Sequence, residues 1–494
     1  MAHTPANPAS DPPAFSPAPT SGPSWYRAVW RWHFYAGLLV LPFLAWLAIT
    51  GGAYLFQKDI DGWFHRDLLS VPGASAMQPA QPHGRVVQAA LAAHPGGQWF
   101  RYTPAPDAQH SASVGVALPS GERLAVYVDP ATARVLGALP ERGTLAWTIR
   151  QLHSLKYFGP VARGFMEMAA GWALVLVATG VYLWWPRGKG GQGSSKGGVV
   201  TVRGRPRQRV FWRDLHAVTG VSVGLVLAFL AITGLPWSVL WGAQVNVWAN
   251  GKDFGYPAGV RVQLPMSGQR LSDDARLPWT LQQARTPGNP HEGHEGHEGH
   301  GGAGAPAAAQ APQPLLGTPL SVDAALAAIG RLGLAPGYTV NPPRGATGVY
   351  TASAYPDDLA RQRVVHIDQY TGQTLLDASY ADYGPAGQWL EWGINVHLGQ
   401  QYGALNQWVL LVACAAIVLL CVTGAVAWWK RRPRGSGLGV PPLPARPETL
   451  AVLTALLALG GVVFPLVGAS LLVVLGGDLW WQRRQAARRR DASQ

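Results

Sequence analysis

The chain has 494 residues, of which 13% are charged and 48% hydrophobic, and it carries 22 tryptophans. So few charges and so many interfacial aromatics exclude an ordinary soluble protein. The formal net charge of +13 does not signal nucleic acid, because the arginines stand beside apolar runs, so lipid is the expected surroundings and no nucleic-acid partner is.

Residues 1–24 are rich in Pro, Ala and Ser and read as a disordered tail. They lack a basic start feeding a short apolar stretch, so the span that follows is read as retained, not cleaved. Five uncharged runs follow: Phe34–Gln57, Met168–Pro186, Leu215–Gly251, Trp392–Trp429 and Thr449–Gly477. Each supplies the ~20 residues of a spanning helix. In chain order the expected elements are a first span at 25–57, an outer module at 58–152, a second span at 153–186 and a basic linker at 187–210. A third span at 211–245, a second outer module at 246–390, a fourth span at 391–430 and a linker at 431–448 come next. An apolar segment at 449–482 and a basic tail at 483–494 close the chain.

Basic residues set the orientation. Arg27 and Arg31 precede the first span, eight Lys and Arg from Arg187 to Arg213 join the second to the third, and Lys430, Arg431, Arg432 and Arg434 follow the fourth. These clusters are expected on the cytoplasmic side of the membrane, which leaves both modules outside and the N-terminus cytoplasmic. The segment 449–482 has basic residues at both ends and Gly460-Gly461 and Pro465 inside, so it reads as a short hairpin of two helices, not one span.

The halves repeat. Ala45–Gly51 reads AWLAITG and Ala228–Gly234 reads AFLAITG, while the second and fourth spans each end in Thr-Gly, a tryptophan pair and a basic cluster. The outer segments repeat as well: Leu124–Gly137 and Arg363–Leu376 each hold a β-rich run, an Asp (Asp129, Asp368), a turn with Thr (Thr132, Thr371) and a second short strand. Same order and same orientation make this a parallel duplication.

Four histidines follow the repeat. His33 and His216 each stand 18 residues before the glycine of a Thr-Gly step, Thr50-Gly51 and Thr233-Gly234. His153 and His397 each stand 27 residues before another, Thr179-Gly180 and Thr423-Gly424. The other ten histidines have no such counterparts; His366, for one, aligns with Tyr127. By orientation His33 and His216 lie near the cytoplasmic face, and His153 and His397 near the outer face. A haem needs ligands on both sides of its iron, so the pairs expected are His33 with His216 and His153 with His397. Gly159-Pro160 can break the helix after His153, while His397 has no proline at that place. The acceptors for the outward nitrogens cannot be named from sequence.

His291, His294, His297 and His300 form HEGHEGHEGH inside a Gly/Pro/Ala-rich insert at 283–314. Its imidazoles and carboxylates suit weak capture of Cu, Ni, Zn or Fe, and its glycines equally suit a plain flexible linker. Cys414 and Cys421 share one apolar run, form no CxxC and imply no disulfide.

Together the first-span His33, the Leu-His steps at Leu152-His153 and Leu215-His216, the Thr-Gly-x-x-x-Trp endings and the two outer modules resemble the PepSY-associated transmembrane proteins. That family includes iron-regulated inner-membrane proteins and ferric-siderophore reductases, and the resemblance runs from about Trp25 to Arg432. It implies an α-helical membrane protein with a duplicated 2+2 four-helix core, two small α+β periplasmic PepSY-like modules and a C-terminal apolar hairpin. It also implies two b-type haems on the four histidines and a haem-dependent reductase-type oxidoreductase acting on a periplasmic ferric-siderophore or other ferric chelate. No GxGxxG loop or flavin domain follows a strand, so quinol or a separate reductase is the expected donor. Two other readings are a non-enzymatic PepSY-type regulator that binds peptidases and a metal-uptake accessory protein. The near absence of charge inside the four spans weighs against the latter.

Overall fold

The computed structural model describes residues 24–71, 73, 77–186, 198–249, 254–256, 266–270, 285–287, 318–344, 348–432 and 447–491. Four helices are long and apolar enough to cross a membrane: α1 (Ser24–Tyr54), α5 (Pro160–Trp184), α6 (Arg209–Gly234) and α10 (Gly403–Arg431). At ~1.5 Å per residue even the 25 residues of Pro160–Trp184 exceed a ~30 Å hydrocarbon core. The four form a square: α1 packs against α5 and α10, and α6 packs against the same two, so α1 and α6 stand on one diagonal. Small side chains let the backbones close up: Ala36, Ala169, Ala173 and Ala413 are buried beside Val40, Leu227 and Ile417.

Beyond one end of the bundle, apart from a two-stranded ribbon of Met266–Arg270 and Arg285–Pro287, lies an antiparallel sheet of eight strands. In chain order these are β1 (Gln98–Thr103), β2 (Ala112–Ala117), β3 (Arg123–Val128), β4 (Val135–Pro140), β5 (Thr339–Asn341), β6 (Val349–Ala354), β7 (Arg363–Asp368) and β8 (Thr374–Ser379). Their spatial order is β8-β7-β6-β5-β1-β2-β3-β4. The sequence suggests two separate modules, and the structure joins them edge to edge where Tyr102 on β1 pairs with Val340 on β5. Helices α3 (His83–Ala93) and α8 (Val322–Gly330) cover one face, burying Val86, Ala90, Leu326 and Ile329 on Val114, Val126, Val365 and Ile367. The Asp-Thr repeats make the β3–β4 and β7–β8 turns: Asp129 Oδ1 accepts from Ala131 N at 2.9 Å, and Asp368 Oδ1 from Tyr370 N and Thr371 N at 2.8 Å. On the sheet's interior Arg101 pairs with Glu141 at 2.9 Å, their side chains 4% and 7% exposed.

Short helices tie sheet to bundle: α2 (Gln57–Phe64) after α1, α4 (Leu145–His153) after β4, α7 (Leu240–Ala249) after α6 and α9 (Pro385–His397) after β8. Thr144 caps α4 by accepting from Trp147 N at 3.2 Å. Buried Glu167 of α5 accepts from Val239 N and Leu240 N at 2.9 and 2.8 Å, which satisfies the free amides at the start of α7. The C-terminal run forms α11 (Pro447–Val463) and α12 (Pro465–Asp491). A Cβ on Gly461 would stand 2.8 Å from the Gly468 Cα, whereas seven residues of unbroken helix span ~10 Å. The chain therefore reverses at Phe464-Pro465. There α12 lies on α5, with Trp172 Nε1 donating to Ser470 Oγ at 2.9 Å, and α11 lies on α1. The basic stretch from Arg483 to Arg490 continues α12 as helix. The His291–His300 motif, residues 1–23 and the linker residues 187–197 and 433–446 lie outside the described residues.

Candidate paired-histidine site

His33 sits on α1 and His216 on α6, across the diagonal of the square, with ring centres 6.4 Å apart and planes at 81°. His153 and His397 end the short helices α4 and α9, with ring centres 6.5 Å apart and planes at 79°. The structure thus brings the four into the two pairs that the repeat suggests. His153 abuts Gly51, 18 residues past His33 on the same helix, so the pairs stand about 27 Å apart along the bundle.

Neither His153 nor His397 belongs to a spanning helix. After His153 the chain turns through Leu155 (φ 54°) and Gly159 (φ 93°) before Pro160 opens α5. Gly159-Pro160 marks this break in the sequence. After His397 a break occurs as well, at Gly399 (φ 74°) and Gly403 (φ 58°). Left-handed glycines stop a helix without a proline, so both histidines at the sheet end ride on turns separate from the spanning helices.

Each Thr-Gly step serves the histidine of a neighbouring helix, not the one upstream of it. His33 Nδ1 meets Thr179 Oγ1 at 2.8 Å, and His153 Nδ1 meets Thr50 Oγ1 at 3.1 Å. In the second half His216 Nδ1 meets Thr423 Oγ1 at 3.3 Å, and His397 Nδ1 meets Thr233 Oγ1 at 2.8 Å. The two threonines of a half trade partners. Every one of these hydroxyls donates its hydrogen to the carbonyl four residues back: Thr50 to Trp46, Thr179 to Val175 and Thr233 to Phe229 at 2.7 Å, and Thr423 to Leu419 at 2.8 Å. A hydroxyl whose one hydrogen is spent can only accept, so Nδ1 carries the imidazole proton. His216 repeats the point, since its Nδ1 also faces the Leu420 carbonyl at 3.1 Å. The Nε2 nitrogens are left with bare lone pairs.

The glycine of each step makes room. A Cβ would stand 3.0 Å from His153 Cε1 at Gly51, 3.2 Å from His216 Cε1 at Gly424, 3.4 Å from His33 Cε1 at Gly180 and 3.6 Å from His397 Cε1 at Gly234. The sequence shows these residues as spacing markers only; their role appears once helices are packed side by side. Trp237, which no repeat singles out, lays its ring 5.8 Å from that of His397.

Two bare nitrogens on paired rings can hold one metal ion between them if the ion brings its other ligands with it. Among the described residues no group of three or more His, Cys, Asp or Glu can hold a metal alone. Of the other histidines, His83 and His110 bond Tyr102 and Asp107, and His366 is fully buried with Nδ1 on Thr351 Oγ1 at 2.9 Å.

The family model for the PepSY-associated TM region matches residues 30–431. The match takes in the four apolar helices, the sheet and all four histidines, and stops before α11 and α12. No curated protein matches the chain.

Proposed function

The chain belongs to the PepSY-associated TM region family, and on that footing we propose that it is a di-haem electron-transfer protein of a bacterial inner membrane that reduces a ferric chelate. The observation that carries this reading is the spacing of the two histidine pairs. Two imidazoles sharing one metal ion, each bonded at about 2.0 Å with its ring centre about 1.1 Å behind the nitrogen, would have ring centres about 6.2 Å apart. The ring centres here lie 6.4 and 6.5 Å apart. His33 and His216 would hold one b-type haem, and His153 and His397 the other. The four threonines support it, because an Nδ1–H held by an acceptor orients the ring and makes Nε2 a better ligand.

Bound haem supplies one-electron chemistry at each pair. The chain's own part is to fix two ligand sets near opposite ends of the bundle and to exclude water between them with Val40, Leu227 and Ile417. Arg27, Arg31 and Lys430–Arg432 share the end away from the sheet, which on the positive-inside rule makes the sheet periplasmic. The matched environments of the two halves suit a duplicated 2+2 core whose modules pair as one sheet. Quinol or a separate reductase would give electrons on the cytoplasmic side, and each Fe(III) centre would take one at the periplasmic end. Fe(II) is a poorer match to oxygen donors, so reduction loosens the iron.

The test begins with reduced-minus-oxidised spectra of purified protein. A b-type signal from two haems is expected, with His33→Ala and His153→Ala each removing a different one. Ferrous-trap assays with ferric chelates then read turnover. A haem-free protein from haem-replete cells would falsify the proposal.

A further inference from the structure

We infer that the outer mouth selects a negatively charged ferric chelate, drawn in by a collar of four cations: Arg142, Arg150, Lys156 and Arg163. This rests on the reductase reading above and adds the charge of the substrate. Arg150 and Lys156 flank His153 by three residues on either side. The Arg142 and Arg150 guanidinium carbons lie 5.4 and 4.9 Å from the centre of one indole ring, that of Trp147. Arg163 donates to the Trp237 carbonyl at 2.7 Å, and the Trp237 ring packs on His397. The collar therefore reaches from the helix of His153 to the wall behind its partner.

Glu167 lies close enough to attract Arg163, but the nearby acids spend their hydrogen bonds on backbone amides. Asp61 accepts from Ala146 N at 2.9 Å, and Glu167 holds the amides that open α7. Among the described residues none of the four cations makes an ion pair. Partial burial pushes the Lys156 ammonium below the ordinary lysine range, and repulsion from Arg163, Arg150 and Arg142 adds to the shift. The other half offers no counterpart, since no lysine or arginine lies between Arg363 and Lys430. Topology does not account for the collar either, because basic residues are disfavoured at the outer ends of spans. Four cations with one acid near them, Glu167 beside Arg163, leave a net positive charge, which raises the local concentration of an anionic ligand and speeds its approach.

The test uses the full chain in nanodiscs, with anionic ferric citrate and neutral ferric tris-acetohydroxamate as probes. Lys156→Gln and Arg142→Gln together should lower the citrate-to-hydroxamate ratio of kcat/KM by roughly ten-fold, and raised salt should do the same to the unaltered protein. Arg134→Gln, an equal charge change away from the collar, should leave the ratio alone. An unchanged ratio in the double variant overturns the inference. So does loss of one haem band, which would give the collar to the haem carboxylates. Loss of co-purifying phosphatidylglycerol at constant ratio would give it to lipid, in keeping with exposed Tyr157 and Phe158 beside it, and would overturn it too. Failure of the reductase reading shows earlier and separately, as absence of any haem spectrum.

Discussion

Adding one methyl group at each Thr-Gly step perturbs the histidines in a graded way that the distances set. Ordinary contact starts near 3.4 Å, so a Cβ 3.0 Å from His153 at Gly51 asks the ring to yield by about 0.4 Å. At Gly424, 3.2 Å from His216, the demand is about 0.2 Å; at Gly180 and Gly234, at 3.4 and 3.6 Å, it vanishes. All four glycines lie inside helices, where alanine is favoured by up to ~1 kcal/mol, so the fold itself should not suffer. Gly51→Ala should then disturb only the outer site and Gly424→Ala, more mildly, only the inner one. Gly180→Ala and Gly234→Ala should be silent. The assay is a redox titration with low-temperature spectra of each variant, beside a thermal melt. Equal effects at all four sites, or Gly51→Ala acting on the inner site, would refute the helix-to-helix exchange of Thr-Gly partners.

Replacing Thr233 or Thr179 with Val removes the acceptor of His397 or His33, and should raise the midpoint potential and lower the haem retention of that site alone. Thr423→Val should do less, because the Leu420 carbonyl at 3.1 Å still accepts from His216; equal losses in a haem-retention assay would count against this. Burial holds the His366 pKa down at about 3 against an ordinary 6.5. The unfolded chain therefore takes up that proton first, and the sheet should lose stability as pH falls from about 6.5 toward 3. His366→Tyr, the residue type of the aligned Tyr127, should flatten this dependence in proteolysis or melting series. Glu141→Gln leaves the Arg101 guanidinium beside a neutral partner in the sheet's interior and should cost roughly 3 kcal/mol in denaturant unfolding of the sheet.

The spans were legible because lipid imposes length and lack of charge on a helix, as in Leu215–Gly234. The approach of His33 to His216 was legible because the repeat carried both to equivalent positions. What the spacing could not carry was side-by-side packing. The 18 residues from His33 to Gly51 measure one helix, while the contact made by Gly51 belongs to His153 on another. The break after His397 carries no proline, because Gly399 and Gly403 act through positive φ, which residue type alone does not reveal. The seam between Tyr102 and Val340 joins residues more than two hundred positions apart, and strand pairing at that range leaves no local pattern. The cation collar lies in plain view as four residue types, but only folding shows that Trp147 and Trp237 gather them.

The edges of the eight-stranded sheet are β4 and β8, about 34 Å apart at ordinary strand spacing. From these two edges descend α4 and α9, about 13 and 20 Å long, and their tips bring His153 and His397 to 6.5 Å. The arrangement works as a calliper: two arms hinged on a rigid crossbar, with the gap between the jaws set by the bar. Severing the crossbar at the Tyr102–Val340 joint should widen the outer jaws while the inner histidines, clasped by helices alone, keep their distance.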